Sequence, residues 1–249
     1  MSRSIVLIPA RYGSSRLEGK PLLTIGGKSI IQRVYEQALA AEEADAVAVA
    51  TDDQRIFDHV QNFGGQVYLT AASHRSGTDR IAEVVQSRSE YSVVVNLQGD
   101  EPFTAPQQID QLIRAIRQQG AEIATLARLI VQQSDIFDPH VVKVVFDRRG
   151  EALYFSRSPI PYLRDRDKNA WLDEQCFYQH LGMYAFQREI LLDMTSRLPS
   201  RYEQLESLEQ LRWLDYGVPI RILLTDYQGI GIDTPEDLAK ARKYLLDHE

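Results

Sequence analysis

The run SIVLIPA at residues 4–10 decides the fold class, because after its serine it is apolar without interruption. Such a continuous run predicts a strand that is buried on both faces of a sheet. Two similar runs follow, AVAVA at residues 46–50 and SVVVN at residues 92–96. Apolar residues at helical spacing alternate with these runs, at residues 29–41, 55–62 and 106–118. The chain is therefore predicted to be an α/β protein with a mostly parallel sheet flanked by helices.

Capping residues mark the ends of several predicted helices. Ser29 is expected to cap the first helix, and Thr234 followed by Pro235 is expected to begin the last one. A further helix is predicted at about residues 202–216, before a strand at residues 220–224.

The middle of the chain has a different pattern. Residues 141–146, 152–155 and 182–186 are short strand-like segments, and the polar residues 165–174 are predicted to form an exposed loop. We therefore expect a single domain over residues 1–249, in which about residues 140–190 form a β-rich insertion that contributes to an oligomer contact.

Composition excludes several classes of protein. The 249 residues are 44% hydrophobic, which is too apolar for a mainly disordered chain. The single cysteine, Cys176, cannot form an intrachain disulfide, and no apolar run has the length of a signal-peptide core or a membrane span. The net charge of −7 argues against a general nucleic-acid binder. We expect a cytoplasmic protein that binds neither nucleic acid nor membrane.

The charge is unevenly distributed along the chain. Residues 1–34 contain six basic residues and one acidic residue, a net charge of +5, so the remainder carries −7 − 5 = −12. A basic segment in an acidic protein indicates a local site for a small polyanion.

The first candidate site is the loop PARYGSSRLEGKP at residues 9–21, which follows the first predicted strand. Its glycines, hydroxyls and basic side chains suit phosphate oxygens, and open α/β sheets place ligands at this end of a strand. The loop is not a phosphate-binding loop of the Walker A type, because five residues separate Gly13 from Gly19 and Pro21 follows Lys20. The alternative is a basic surface turn.

Two further segments each carry a candidate metal-binding carboxylate. Asp100 follows the third predicted strand, in NLQGDEP at residues 96–102, and Asp233 precedes the last helix, in GIGIDTPED at residues 229–237. Mg²⁺ uses one or two carboxylates together with waters and substrate phosphates. A simple turn or helix cap is the alternative for both segments. Capping does not explain Gly229 and Gly231, which we interpret as marking a close backbone approach.

The remaining candidates are less specific. HRSGTDR at residues 74–80 either reads a base edge or phosphate, or begins a helix that is capped by Thr78. Glu209 and Arg212 have the spacing of an exposed helix pair, and an isolated histidine such as His180 is more often structural. The histidines show no zinc-binding spacing, and no G-x-S-x-G motif is present.

Together, eight segments in order along the chain resemble the CMP-Kdo synthetase family, the 3-deoxy-manno-octulosonate (Kdo) cytidylyltransferases. The matching segments are IPARYGSSRLEGKPL (8–22), VATDD (49–53), HRSGTDR (74–80), NLQGDEP (96–102), ALYFSRSPIP (152–161), QHLGMYAF (179–186), LESLEQLRWLDYG (205–217) and GIDTPEDL (231–238).

The resemblance implies a fold of the nucleotide-diphospho-sugar transferase type, a homodimer, and a Mg²⁺-dependent reaction. In this reaction CTP and Kdo give CMP-Kdo and pyrophosphate, for lipopolysaccharide synthesis. Alternatives are a cytidylyltransferase for a related sugar acid, such as 8-amino-Kdo or a sialic acid, and a non-catalytic protein that binds a nucleotide sugar.

The resemblance also implies roles for individual residues. Arg11 and Lys20 would hold the triphosphate, and Asp100 and Asp233 would bind Mg²⁺; these four are the predicted catalytic residues. The predicted nucleotide-binding residues also include Ala10, Arg75, Ser76, Asp79 and Gln98. The predicted sugar-acid pocket contains Gln98, Arg157, His180, Tyr184, Glu209 and Gln210, with Arg157 as the hypothesised partner of the sugar carboxylate. One departure is Glu18, where the family usually has proline, and its charge is expected to weaken the positive field of the loop.

Overall fold

The computed structural model describes residues 2–13, 17–227 and 229–248. These residues form two compact units: the first combines the chain up to Arg114 with the segment after residue 228, and the second is Ala115–Tyr227. Ser14, Ser15 and Arg16 of the predicted phosphate loop lie outside the described residues.

The described residues form strands and helices in the following order. The strands are β1 (Arg3–Ala10), β2 (Thr24–Ile25), β3 (Lys28–Ser29), β4 (Val47–Thr51), β5 (Val67–Leu69), β6 (Tyr91–Asn96), β7 (Ile123–Leu129), β8 (Lys143–Phe146), β9 (Ala152–Ser156), β10 (Tyr178–Gln187) and β11 (Ile220–Leu224). The helices are α1 (Ile30–Leu39), α2 (Gln54–Asn62), α3 (Gly77–Gln86), α4 (Pro106–Arg117), α5 (Gln133–Phe137), α6 (Arg188–Ser196), α7 (Arg201–Glu206), α8 (Gln210–Asp215) and α9 (Pro235–His248), with 3-10 helices at Lys20–Leu22 and Lys168–Glu174.

The first unit contains a parallel sheet with the order β6-β1-β4-β5. Strand β1 is at its centre, and Ile5, Leu7 and Ile8 are completely buried, as the continuous apolar run predicts. The chain extends from β1 through β4 to β5 on one side, and it returns to the other side of β1 with β6. Ligands of open α/β sheets bind where the strand order reverses in this way, at the carboxyl ends of the strands. The loops after β1 and β6 flank this point.

The predicted helix ends of the first unit are confirmed. The Ser29 hydroxyl accepts a hydrogen bond from the Gln32 N–H at 3.2 Å, so it caps α1. Helix α9 begins at Pro235, and the Thr234 hydroxyl accepts the Asp237 N–H at 3.2 Å. None of the helices in the described part of the chain has the length and apolar character needed to cross a lipid bilayer.

The second unit contains a mixed sheet. Strand β7 pairs with β11 in parallel and with β10 in antiparallel orientation, and the antiparallel pairs β10–β8 and β8–β9 extend the sheet. Strands β8, β9, β10 and β11 overlap the predicted segments, whereas β7 was not predicted, and the unit is longer than the predicted insertion at about residues 140–190. The single domain with that insertion stays a prediction.

Two predictions of local structure in the second unit are wrong. Residues 165–174 do not form a simple exposed loop, because Lys168–Glu174 is a 3-10 helix whose Trp171 side chain is only 1% exposed. The Trp171 ring stacks on Phe177 at 5.6 Å between ring centroids, so burial of one large aromatic side chain organises a polar segment. The helix predicted at residues 202–216 is divided into α7 and α8 at Ser207, whose φ of 51° is left-handed.

His180, on β10, is a buried histidine held by a neutral hydrogen bond. Its Nε2 lies 3.0 Å from the Thr125 hydroxyl oxygen, and that hydroxyl lies 2.7 Å from the Met183 carbonyl oxygen. Because the hydroxyl has one proton to donate to a carbonyl, His180 Nε2–H is the donor to Thr125. Burial lowers the pKa of His180 to about 3, so its ring is neutral near pH 7.

We predict that His180 makes the fold sensitive to acid. The unfolded state takes up a proton near pH 6.5 and the folded state does not, so stability is lost as the pH falls below that value. Between about pH 7 and about pH 5 this group lowers the free energy of unfolding by about 2 kcal/mol. His180→Gln should reduce the pH dependence by that amount in urea unfolding, whereas His140→Gln, at an exposed position, should keep the wild-type dependence. An unchanged dependence in His180→Gln would contradict the assignment.

Candidate active site

A cavity of about 350 Å³ lies in the first unit, at the carboxyl ends of β1 and β6. Its walls are formed by the loop after β1, by the loop after β6 and by Asp233, which precedes helix α9. Its described lining residues are Pro9, Ala10, Arg11, Gly13, Lys20, Pro21, Gln98, Gly99, Asp100 and Asp233. All four predicted catalytic residues, Arg11, Lys20, Asp100 and Asp233, thus share one cavity with Ala10 and Gln98.

Lys20 is the electrostatic centre of this cavity. Its Nζ lies 2.7 Å from Asp100 Oδ2 and 3.0 Å from Asp233 Oδ1, and its side chain is 15% exposed. Burial alone would lower the pKa of Lys20, but the charges and hydrogen bonds of the two aspartates outweigh it and raise the pKa above its usual value. Lys20 is therefore a permanent cation near neutral pH.

Main-chain contacts bring the two aspartates together. The Ile232 N–H donates to the Asp100 carbonyl oxygen at 2.9 Å, which ties the segment before α9 to the loop after β6. The Asp237 carboxylate accepts the N–H groups of Asp233 and Thr234 at 3.3 and 3.1 Å. The backbone around both carboxylates is therefore held before any ligand arrives.

The glycines of this region have different roles from those predicted. A Cβ atom on Gly99 would lie 3.0 Å from the Pro9 carbonyl oxygen, so the close approach of the loops after β1 and β6 requires glycine there. Gly229 and Gly231, in contrast, would place a Cβ atom more than 4 Å from any other described group. The interpretation that these two glycines mark a close backbone approach is wrong.

Glu101 follows the cavity residue Asp100 directly and was not singled out by the sequence analysis. Its burial raises its pKa to about 7, and the negative charges of Asp100 and Asp233 act in the same direction. This carboxyl group therefore takes up a proton at a higher pH than an ordinary glutamate. The sequence signal was its position directly after Asp100, but neither the burial nor the approach of Asp233 can be inferred from sequence.

The segment HRSGTDR begins helix α3 beside the cavity. Ser76 caps this helix: its hydroxyl accepts the Asp79 N–H at 3.0 Å, and the Asp79 carboxylate accepts the Ser76 N–H at 3.2 Å. Thr78 is not the cap, because its hydroxyl is buried 3.4 Å from the Asn96 side-chain amide. Arg11 donates to the His74 carbonyl at 2.8 Å and so joins this segment to the loop after β1.

The predicted residues at the cytosine and ribose end lie outside the cavity lining that the described residues form. Arg75 is exposed, and Ser76 and Asp79 bind each other in the cap of α3. Their nucleotide-binding roles stay predictions.

The side chain of Arg55, which the sequence analysis also missed, supports the loop after β1 by stacking on Tyr12. The Arg55 guanidinium lies 3.2 Å from the centroid of the Tyr12 ring, and it also binds the Asp53 carboxylate at 2.6 and 2.9 Å. The Tyr12 ring in turn fills the space beside Gly19, where a Cβ atom would lie 3.1 Å from the ring. Gly19 has a φ of +65° and immediately precedes Lys20, so this stack sets the backbone from which the Lys20 side chain extends.

The predicted sugar-acid residues other than Gln98 lie in the second unit. Arg157 uses its guanidinium to bind three main-chain carbonyls, those of Pro139, Glu206 and Ser207, at 2.7 to 3.3 Å. These contacts hold the end of α7. They account for Arg157 structurally, and its pairing with a sugar carboxylate stays a prediction.

The other predicted sugar-acid residues are mainly buried. The His180 and Tyr184 rings lie 5.3 Å apart, and burial together with the charge of Glu209 raises the pKa of Tyr184 well above its usual value. Gln210, at the start of α8, is also buried. The predicted pair of Glu209 and Arg212 is present at 3.8 Å, but its predicted exposure is wrong, because Arg212 is 8% exposed and also binds Glu203 at 2.5 and 2.8 Å.

Lys143 is a further residue without a sequence signal. Its fully buried ammonium group donates to the carbonyls of Asp138, Val141 and Arg157 at 2.6 to 2.9 Å. Burial lowers its pKa. Through these carbonyls, Lys143 and Arg157 hold the main chain at residues 138–141 and at residues 206–207.

The chemistry of the cavity suits a divalent cation together with phosphate groups. No cluster of three or more aspartate, glutamate, histidine or cysteine residues that could hold a metal occurs in the described parts of the chain. Two converging carboxylates beside two basic side chains nevertheless match the way in which Mg²⁺ is shared between a protein and substrate phosphates. The donor set therefore fits Mg²⁺ that binds with a nucleotide.

Comparisons with known proteins identify the family of this chain. Residues 5–222 match the profile of the cytidylyltransferase family. The chain is 48% identical to a 3-deoxy-manno-octulosonate cytidylyltransferase of Thermodesulfovibrio yellowstonii, over 97% of this chain and 98% of the relative. It is 47% identical to the protein of the same name from Parabacteroides distasonis, over 99% of this chain and 100% of the relative.

Solved structures show the same relationship. A CMP:2-keto-3-deoxy-manno-octonic acid synthetase complexed with CTP superimposes with a TM-score of 0.93 at 42% identity, and each chain is covered completely. A 4-diphosphocytidyl-2C-methyl-D-erythritol synthase from Anaerococcus prevotii, at a TM-score of 0.63 and 16% identity, covers 98% of this chain and 96% of that protein and shares the fold alone. The predicted α/β class, with its mostly parallel sheet and flanking helices, is confirmed. With a family profile over most of its length and relatives near half identity, this chain belongs to the cytidylyltransferase family, among the 3-deoxy-manno-octulosonate cytidylyltransferases.

Proposed function

We propose that this protein transfers the cytidylyl group of CTP to the anomeric hydroxyl of Kdo. The observation that carries the proposal is the cavity of the first unit, where Arg11 and Lys20 lie beside Asp100 and Asp233. The names of the relatives at 47–48% identity supply the substrate pair. The similarity to a synthetase complexed with CTP supports the nucleotide.

The reaction exchanges one phosphorus–oxygen bond for another. The anomeric oxygen of the sugar acid attacks the α-phosphorus of CTP, and the bond from that phosphorus to the β-phosphate bridging oxygen breaks. The products are CMP-Kdo and pyrophosphate, and the hydroxyl proton is released. Little covalent chemistry is required of the protein, so positioning and neutralisation of charge account for most of the catalysis.

Lys20 and Arg11 supply the positive charge for this step. Both reactants are anions, and two unit charges about 4 Å apart interact by about 4 kcal/mol at an effective dielectric constant of about 20. Basic side chains that face the triphosphate offset this repulsion and stabilise the charge that develops on the leaving pyrophosphate. The Arg55–Tyr12 stack holds the loop that carries both residues.

Mg²⁺ is the proposed cofactor, and Asp100 and Asp233 are its proposed ligands. When bound there with CTP, a magnesium ion would neutralise phosphate charge and lower the pKa of the attacking hydroxyl. The protein contributes two carboxylates whose main chains are already joined by the Ile232–Asp100 hydrogen bond.

The remaining elements of the proposal rest on the resemblance to the family. We propose that Arg157, His180, Tyr184, Glu209 and Gln210, with Gln98, bind the sugar acid. Because the pKa of His180 is lowered to about 3, this residue would contact the sugar acid as a neutral hydrogen-bonding group. A homodimer, a cytoplasmic location and a role in lipopolysaccharide synthesis belong to the same proposal.

A pyrophosphate-release assay tests the function. The purified protein is incubated with CTP and Mg²⁺ and with Kdo, 8-amino-Kdo or a sialic acid, and the nucleotide sugar is identified by mass spectrometry. We expect the highest kcat/KM with Kdo. A preference for another acid would reassign the acceptor, and binding of CTP without turnover of any acid would indicate a non-catalytic protein.

We predict that Asp100→Asn and Asp233→Asn each lower kcat by about 100-fold or more at saturating Mg²⁺, because each removes a charged ligand worth several kcal/mol to the transition state. Steady-state kinetics measures the effect. Asp58→Asn is the matched control, because Asp58 is exposed on α2 and pairs with Gln54. Near-normal turnover of both site variants would exclude these aspartates as metal ligands.

We predict that Arg55→Ala raises KM for CTP by about three- to tenfold with a smaller effect on kcat, because the loop that carries Arg11 and Lys20 loses the stacked cation that orders it. Arg88→Ala is the control, since Arg88 lies 4.7 Å from the centroid of the Tyr68 ring, a similar stack elsewhere in the same unit. Equal KM values for Arg55→Ala and the wild type would show that the stack does not position the loop.

A further inference from the structure

The two carboxylates proposed to bind Mg²⁺ already hold a cation of the chain itself. The Lys20 ammonium lies 2.7 Å from Asp100 Oδ2 and 3.0 Å from Asp233 Oδ1. Mg²⁺ binds oxygen at about 2.0–2.1 Å and requires nearly octahedral surroundings. A magnesium ion on these same two oxygens would take the place of the ammonium group.

We propose that Lys20 is an internal counter-ion that competes with the divalent metal for Asp100 and Asp233. In the ligand-free enzyme the ammonium holds the two carboxylates together. When the metal and CTP bind, Lys20 releases the carboxylates and moves to the phosphates. This inference rests on the proposed function, in which the two aspartates bind the metal and Lys20 binds the triphosphate.

The charge balance of the cavity supports this exchange. Among the described residues that line it, the charged side chains are Arg11, Lys20, Asp100 and Asp233, whose formal charges add to zero. A metal ion that arrives alone must break both ion pairs and remain close to the displaced ammonium. Phosphate oxygens give that ammonium a new partner. Each ligand therefore favours the binding of the other, and the coupling is reciprocal.

The local structure allows the side chain to move while its backbone remains in place. The Lys20 N–H donates to the Leu17 carbonyl at 3.2 Å, and the Lys20 carbonyl accepts the Leu23 N–H at 3.1 Å. Pro21 follows it in the 3-10 helix. A lysine side chain has a flexible stem and a compact charge, so it can change partners by rotation about its side-chain bonds.

Binding of Mn²⁺ in the absence of nucleotide tests the inference without measuring activity. Free Mn²⁺ is followed by electron paramagnetic resonance as it is titrated into the full-length wild-type protein, Lys20→Met and Lys20→Gln, each checked for folding by circular dichroism. We expect both neutral variants to bind Mn²⁺ at least about tenfold more tightly than the wild type, because the competing positive charge is removed. Lys28→Met is the matched control, because the exposed Lys28 pairs with Glu36 at 2.7 Å, and it should bind Mn²⁺ as the wild type does.

A second substitution separates this inference from the proposed function. Asp233→Asn added to Lys20→Met should abolish the tighter Mn²⁺ binding. One possible result is that the double variant loses Mn²⁺ binding while Lys20→Met and Lys20→Gln bind Mn²⁺ no more tightly than the wild type. This result would overturn the competition by Lys20, but it would leave Asp100 and Asp233 as the proposed metal ligands. If Asp233→Asn leaves Mn²⁺ binding unchanged, the metal assignment itself fails, and the inference fails with it.

Discussion

The structure of this site depends on one electrostatic constraint: two carboxylates that converge in a partly buried cavity repel each other, and the cation between them offsets that repulsion. Asp100 and Asp233 are 80 and 213 residues from Lys20 in the sequence, yet both contact its ammonium group. Two like charges about 4 Å apart repel by about 4 kcal/mol at an effective dielectric constant of about 20, a large fraction of the 5–15 kcal/mol that stabilises a typical domain. Solvent reduces this repulsion at the half-exposed Asp233. Lys20 therefore stabilises the ligand-free structure, in addition to its proposed role at the triphosphate.

Much of the fold of the first unit could be predicted from sequence because its signals are local. The run that forms β1 is apolar without interruption, and Ser29, Thr234 and Pro235 cap their helices through contacts within a few residues. The second unit was harder to predict because distant contacts decide its local structure. Trp171 becomes buried in a cluster that contains Phe177 and also Ile130 and Ile136 from a distant part of the chain, and the polar composition of residues 165–174 gives no sign of this packing.

In the predicted active site, too, residues in recognisable segments could be predicted, and residues whose roles depend on distant contacts could not. Arg11, Lys20, Asp100 and Asp233 are carried by recognisable segments, and the parallel order of β1 and β6 brings most of these segments to one edge of the sheet. Glu101, Arg55 and Lys143 have no motif of their own. Their roles depend on burial or on partners that only the folded chain supplies, such as the three carbonyls around the Lys143 ammonium. The sequence could therefore predict which groups share the cavity, but it could not predict the groups that support them.

Glu18 differs from the residue usual in the family, and its neighbours in the structure change how this difference is interpreted. A carboxylate in place of the proline usual in the family is expected to weaken the positive field on the triphosphate. In the structure, the hydrogen bond with Asp53 raises the pKa of Arg55 most, and the negative charge of Glu18 acts on Arg55 in the same direction. Arg55 thus offsets the charge of Glu18 while it stacks on Tyr12. Lys20 and Arg11 line the cavity in the presence of Glu18, so the substitution is compatible with a triphosphate-binding loop.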